Sequence, residues 1–384
     1  MTERIGIVAT VQTKYEESKP RLHPSELLCE VVEEVMSETG LTFTRDGTGL
    51  EDSVTCCSDH WDGQIGSSKN AQDVAGGDLR ESDNVSTGGA NAFFLAVARL
   101  LSGSCDTILV TAHCKESQGQ VGLIENMGFD PIYHRMLGLD FLSAAALQAN
   151  RYMHKYAITS EQCAKVVVKN RGNAKNNPFS QAPLDLTVDD VLNSPVLAFP
   201  LKVLEVKPVS DGACAMILAT ESRAKKLTDK PVWVKGIANC YDSYYLGDRD
   251  LADCAALTNA AHRAYRMAEI TNPRKEIDVV ELSEYYSYQE LLWLEGLGFC
   301  NKGEGGKLID SGVTGMDREL PVNPSGGLLS GVPTMVDGLS RIAEAALQLK
   351  GEGGARQISG ARTALAHSVM GVAGQMHFAT ILEK

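Results

Sequence analysis

No apolar stretch in this 384-residue chain is long enough to cross a bilayer, and no basic start leads into an apolar run at its N-terminus. Residues 5–8 give way at once to Thr10, Gln12, Thr13 and Lys14, which predicts neither a membrane anchor nor a cleaved signal. Excess positive charge is missing too. Against 36 Lys and Arg stand 49 Asp and Glu, and the net charge of −13 argues against nucleic acid and anionic membrane as partners. A phosphate-bearing cofactor needs only a local basic patch and stays compatible with that balance. Cys56, Cys57 and His60 lie together, but no second Cys-x-x-Cys pair accompanies them, so no metal is expected in this chain. Others of the ten cysteines, such as Cys105, Cys214 and Cys240, sit in apolar segments, as expected of reduced thiols in a cytoplasmic protein.

What the chain has is 43% hydrophobic residues, arranged in one plan repeated twice. The first copy predicts a strand at 4–10, a helix at 24–37 with Leu27, Leu28, Val31, Val32 and Val35 on one face, and a strand at 53–57. The second predicts a strand at 232–239, a helix at 250–268 and a strand at 277–282. In each copy a glycine-marked turn precedes a further helix, 92–101 or 336–349, and a further strand, 107–111 or 363–367. Such alternation predicts an α/β fold with mixed sheets covered on both faces, and two packed halves make five layers, α-β-α-β-α.

Between the halves, 115–200 predicts an inserted loop domain with helices at 142–156 and 160–171 around an irregular centre at 130–139. Long irregular segments of this kind act as lids or binding loops. Residues 210–220 predict a closing strand and 221–230 a charged linker. The expected organisation is a first half of 1–114 with 201–220, an inserted domain of 115–200, and a second half of 231–384.

Two C-terminal blocks, LPVNPSGGLLSGVP (320–333) and ALAHSVMGVAGQMHFATIL (364–382), resemble signature blocks of the thiolase superfamily. RYMHKYAITSEQCAKVVVKNRGNAKNNP (151–178), SDGACAMIL, GFCNKGEG and EAALQLKGEGG follow in the family's order and resemble its sterol-carrier-protein-type branch. CCSDHWDGQIG (56–66) and TAHCKESQ (111–118) further resemble a branch that includes the thiolase acting on benzoylsuccinyl-CoA in anaerobic toluene degradation. The resemblance implies the thiolase fold, a homodimer core in which the first-half sheets pair across a two-fold axis, and coenzyme A thioesters as substrates. It places the pantetheine arm of CoA between the halves under the inserted loop. Tyr133, His134, Arg135 and Met136 are the expected walls and phosphate cation there, with Gly326, Gly327, Gly371 and Gly374 at the backbone approaches.

The side chains that do the family's chemistry are replaced. Its nucleophilic cysteine, held at a helix N-terminus that favours a thiolate, falls on Ser86, or on Val85 if the register shifts by one. The histidine that activates it falls on Val332, the oxyanion-hole His or Asn on Ser283, and the proton-donating Cys or Asn on Ser368. Ser283 is followed by Glu284, Tyr285 and Tyr286. The resemblance implies a carbon–carbon bond made or broken in a bulky β-ketoacyl-CoA, aromatic ones included, by thiolysis. The candidate catalytic set is Ser86, Ser283, Glu284, Tyr285, Tyr286, His367 and Ser368. His367 and His134 are surrogate bases, and Cys57 and Cys114 are displaced-nucleophile candidates. Three alternatives stay open: direct attack by the CoA thiolate, an acyl-CoA retro-aldolase, and a non-catalytic CoA-binding scaffold subunit. Related subunits work with a small zinc-ribbon and OB-fold partner, so such a partner is expected here.

Overall fold

The computed structural model describes residues 3–44 and 49–384; residues 1–2 and 45–48 of the expected first half lie outside the described residues. The first half contributes β1 (Ile5–Gln12), α1 (Pro24–Thr39), β2 (Asp52–Cys56), β3 (Glu81–Val85), α2 (Gly89–Ser102) and β4 (Thr107–Lys115). The inserted region carries α3 (Phe141–Tyr156), α4 (Ser160–Asn173) and a small ribbon of β5 (Val196–Ala198) and β6 (Leu201–Lys202). β7 (Asp211–Thr220) returns to the first half. The second half holds β8 (Val232–Tyr241), α5 (Ala255–Ala268), β9 (Val279–Glu281), α6 (Ser287–Gly296), α7 (Asp337–Lys350), β10 (Thr363–Met370) and β11 (Met376–Glu383).

Nine strands form one mixed sheet in the order β3-β2-β4-β7-β1-β8-β11-β10-β9. β2 is parallel to β3 and β4, and β7 is antiparallel to β4 and β1. In the second half β10 is parallel to β9 and antiparallel to β11, which is antiparallel to β8. The duplication is therefore structural: β8, β9, β10 and β11 repeat β1, β2, β4 and β7. An isolated parallel bridge from Val280 to Val322 stands where β3 stands in the first half. Among the described residues the halves join edge to edge at Gly6 opposite Trp233 and Ile7 opposite Val232.

Local chemistry explains the element ends. α1 begins with Pro24 at its first turn, the His23 ring accepting from Ser25 N while the Glu26 carboxylate accepts from His23 N, and it ends at Gly40 with φ 65°. Its apolar face packs on β1, β4 and β7. α5 covers β8 and β11 from the opposite outer side. Between the two halves of the sheet lie α2 and α7, back to back, which completes the five layers.

The differences from the sequence reading have physical causes. The charged 221–230 segment is not an open linker: Glu221–Leu227 is a helix that buries Ala224 against the first-half core. Residues 250–254 do not extend α5, because Asp250 instead pairs with Arg151 and Lys155 and accepts from Ala252 N. β3 escapes a periodicity search because its ESDNV sequence is polar but for Val85 and lies exposed or half-buried at the sheet edge up to that residue.

The central helices can touch because two glycines meet there. A Cβ on Gly89 would lie 2.8 Å from Leu339 Cβ, and one on Gly338 would lie 2.5 Å from Ala90 Cβ and 2.7 Å from Ser368 Oγ. Backbone and short side chains on both sides leave little room to give. Gly338→Ala is therefore expected to destabilise the protein by about 2 kcal/mol. Urea denaturation of the two chains checks this, and an equal midpoint would mean the helices are not in close contact.

Candidate active site

Where the inserted region meets the second half, an apolar cleft opens. Its walls are Phe141 and Ala145 of α3, Tyr285, Tyr286 and Gln289 leading into α6, Thr334, and the 369–374 segment of β10 and its turn, which includes Gly371 and Gly374. The turn needs glycine: Gly374 has φ 70°, and a Cβ there would sit 2.6 Å from the Trp293 indole. Phe129 packs at 5.9 Å on Phe141 and at 6.1 Å on His134, so the irregular 130–139 loop borders the cleft.

Under the cleft floor lies Asp337, the first residue of α7, with no solvent exposure. Ser283 Oγ donates to its Oδ1, Ser368 Oγ donates to its Oδ2 at 3.3 Å, and the Tyr285 hydroxyl faces that Oδ2 at 3.5 Å. Burial pushes the Asp337 carboxyl up to about 6, against the pull of Ser283, Arg341 and Ser368. The other acceptors near the Tyr285 hydroxyl, Thr334 O at 3.5 Å and Met370 Sδ at 3.9 Å, are no closer. Three predicted positions, Ser283, Tyr285 and Ser368, are thus brought together around a carboxylate that the sequence reading did not single out. Its signal was there: Asp337 interrupts the apolar entry to a helix predicted from residue 336.

Beside Tyr285, Lys207 Nζ sits 5.7 Å from the ring centroid and pairs with the buried Glu116 at 2.8 Å. Lys207 N also donates to Tyr285 O at 2.8 Å, and Gln289 Oε1 accepts from Tyr285 N at 3.0 Å, fixing the backbone from both sides. Tyr286 lines the cleft and stacks on Tyr288 at 6.3 Å.

Other predicted positions fall elsewhere. Glu284 is buried away from the cleft, where Asn170 and Asn323 amides donate to it at 3.0 and 2.9 Å and Leu329 N at 3.3 Å. Burial and the neighbouring Glu290 hold its carboxyl well above the usual range. A Cβ on Gly327 would run into that carboxylate, and one on Gly326 would meet Ala174 at 2.8 Å, so both glycines serve this packing. Ser86 is exposed beyond β3, and Val85 is buried at the strand's end. Val332 lies in the core between the halves. On the loop, Tyr133 and Met136 are exposed, His134 is buried 4.8 Å from the Tyr245 ring, and Arg135 donates to Met127 O and Phe129 O.

Cys57 and Cys114 are buried; desolvation pushes the Cys57 thiol up to about 11 and the Cys114 thiol well above its ordinary value. Among the described residues no group of three or more His, Cys, Asp or Glu is placed to hold a metal ion, and no helix is long and apolar enough to cross a membrane.

His367 and His377 are diagonal neighbours across β10 and β11, their ring nitrogens 3.0 Å apart and their rings stacked on each other, with the Trp293 indole tilted against His367 and edge-on to His377. Burial lowers His367 well below its ordinary value and His377 to about 3, so both are neutral near pH 7. An unfolded histidine titrates near ~6.5, so between that value and about 3 the unfolded chain binds more protons and stability falls as pH falls. His377→Gln removes one of those protons. Its stability loss between about pH 7 and about pH 5 should be smaller than the parent's by about 2 kcal/mol, read from urea midpoints at both pH values. An identical pH dependence in the two chains would show that His377 is not held neutral.

Residues 238–384 match the thiolase C-terminal domain-like family. Acetyl-CoA acetyltransferase of Methanothermobacter thermautotrophicus is 42% identical over 247 residues, a stretch that spans 64% of this chain and 64% of that relative. Acetyl-CoA acetyltransferase of Methanocaldococcus jannaschii is 33% identical over 68% of each chain. Sterol carrier protein 2 of Bos taurus is 33% identical over 77% of this chain and 57% of that relative. Benzoylsuccinyl-CoA thiolase subunit BbsB of Thauera aromatica is 34% identical over 54% of each chain. A solved structure named Ltp2-ChsH2(DUF35) aldolase shares the fold at a TM-score of 0.84, over 99% of this chain and 97% of that one, at 22% identity. A relative one-third identical across two-thirds of both chains, joined to the duplicated five-layer architecture, establishes that the chain belongs to the thiolase superfamily, on its sterol-carrier-protein-type branch.

Proposed function

We propose that this chain is an acyltransferase-type catalytic subunit that cleaves or forms a carbon–carbon bond in a bulky β-ketoacyl-CoA, with the thiolate of free CoA attacking the keto carbon directly. One observation carries the reading: Tyr285, whose hydroxyl faces Asp337, lines an apolar cleft whose lining residues include no thiol. A polarising donor is present where a protein nucleophile is not, so the substrate must bring the attacking group. The relatives named acetyl-CoA acetyltransferase and benzoylsuccinyl-CoA thiolase support the reaction type. Phe141, Tyr286, Val369 and Met370 offer the walls that a bulky or aromatic acyl group needs.

In this reading the exposed Tyr133 and Met136 flank the pantetheine arm, and Arg135 attracts the CoA phosphates from a loop braced by His134. The amides of Gly371 and Gly374 face the thioester. A homodimer core and a small zinc-ribbon and OB-fold partner belong to the same reading, supported by a relative named as a subunit and a structural neighbour named with a DUF35 component. The setting is cytoplasmic. An acyl-CoA retro-aldol is the second reading, favoured by the same thiol-free cleft, since it needs a base and no nucleophile.

The test offers aromatic, steroidal and short β-ketoacyl-CoA thioesters with free CoA to the full chain, with and without a DUF35-type partner. Thiolysis consumes one CoA for each pair of thioesters formed, whereas a retro-aldol acts on β-hydroxyacyl-CoA and releases a carbonyl product without consuming CoA. Tyr285→Phe should lower kcat by about 10²-fold with substrate binding retained. Unchanged turnover in that variant would instead mark the chain as a scaffold for a catalytic partner.

A further inference from the structure

We propose that Asp337 holds the transferred proton for Tyr285, so that a tyrosine–aspartate pair performs the acid–base work of the cleft. This rests on the carbon–carbon bond reading above and adds to it the group that stores the proton.

The hydrogen bonds around Asp337 satisfy both of its protonation states. Ser283 Oγ has two acceptors within reach, Asp337 Oδ1 and His367 O at 3.0 Å, but one proton to give. When Asp337 is ionised, Ser283 donates to it. When Asp337 is protonated, its O–H donates to Ser283 Oγ, and Ser283 turns to the His367 carbonyl. In neither state is Asp337 or Ser283 left unpaired, which lightens the penalty that usually forbids a buried titration. Tyr285 is the complementary part. With every acceptor at 3.5 Å or more, its hydroxyl is free to turn between Asp337 below and a ligand in the cleft above.

The charges that face the carboxyl hold it in balance. Arg341 lies one turn along α7 and Lys207 lies beside Tyr285, and both favour the anion. Arg341 is itself surrounded by Glu281, Glu284 and Glu344, and Lys207 is paired with Glu116. Against them, burial raises the carboxyl to about 6, where both forms are accessible near neutral pH.

The chemistry balances with one proton. The CoA S–H gives its proton to the Tyr285 oxygen as the tyrosine's own proton passes to the Asp337 carboxylate. A sulfur–carbon bond forms at the keto carbon, and the carbonyl electron pair moves to oxygen. Collapse of that alkoxide breaks the Cα–Cβ bond, whose electron pair becomes a thioester enolate. The Asp337 proton then returns through Tyr285 to Cα. Nothing is oxidised or reduced, and the only co-reactant is the thiol of CoA. Tyr285 is the catalytic residue; Asp337 acts through it.

The last step can be read alone. Acetyl-CoA incubated with the full chain in deuterated water should gain deuterium at its methyl group, at a rate that rises as pH passes through about 6. Asp337→Asn should slow exchange by about 10²-fold and remove that pH limb, with acetyl-CoA binding retained in calorimetry. Asp337→Glu should restore part of both rate and limb, which a merely structural role would not do, and Tyr285→Phe should match the asparagine variant. Wild-type exchange with an unchanged pH limb in Asp337→Asn overturns the proposal, as does acetyl-CoA binding without exchange in the parent chain. Should Asp337→Asn fail to fold, undiminished exchange in Tyr285→Phe overturns it equally. Absence of any acetyl-CoA binding by the parent chain is a different result, and it removes the underlying functional reading.

Discussion

The rest of the structure depends on two helices that approach each other through glycine. α2 and α7 run buried between the two halves of the sheet, and Gly89 and Gly338 let their first turns touch. A helix with no exposed face must place its polar residues against partners, and α7 does so with ion pairs. Arg341 meets Glu281 at 2.7 Å, and Glu344 meets Arg356 at 2.8 Å. Pairs of this kind contribute little net stability, because desolvation offsets their attraction, but losing one partner would leave a buried charge. They therefore fix how α7 sits more than they hold the fold together. The consequence for the site is positional: the first residue of α7 is delivered directly under the cleft.

The stretch from Glu281 to Tyr286 is held from both sides, and that restraint aims Tyr285. Leu282 N donates to Asn323 Oδ1 at 2.6 Å, and the Trp293 indole donates to Ser283 O at 3.0 Å. Glu284 is drawn the other way, into a pocket of Asn170 and Asn323 amides next to Glu290. Alternating side chains in an extended segment point to opposite sides, so anchoring Glu284 in the second-half interior turns Tyr285 toward the cleft. Glu284 thus has a positioning role that its carboxylate chemistry alone would not have revealed.

The repeated plan was legible because its strands and helices carry uninterrupted apolar periods. β7, with ten consecutive buried residues between two helical layers, is the extreme case. Ser283 and Ser368 were singled out through family resemblance and Tyr285 and Tyr286 for their chemistry, and all four lie at or beneath the cleft. What stayed hidden depended on register and on distant partners. The His367–His377 pair arises only once β10 and β11 are paired with Val369 opposite His377. The fate of Glu284 is decided by Asn170, more than one hundred residues earlier in the chain. Asp337 hid for another reason: an acidic residue at a helix start reads as an ordinary N-terminal charge, and nothing local tells that this helix start is buried.

That double character of Asp337 is also why the replaced residues make chemical sense together. A carboxyl at the first turn of a helix is favoured as an anion by the backbone amides, and here by the Ser283 and Ser368 hydroxyls too, while burial favours the neutral acid. A thiolate–imidazole couple would meet different terms here. The cysteines nearest the site are desolvated toward the thiol form, and Val332, where the family's histidine falls, is sealed in the core between the halves. With neither a thiolate nor an imidazole supported, the proposed reaction takes its attacking sulfur from the ligand. In that proposal the protein's task narrows to moving one proton between Tyr285 and a carboxyl that burial raises to about 6.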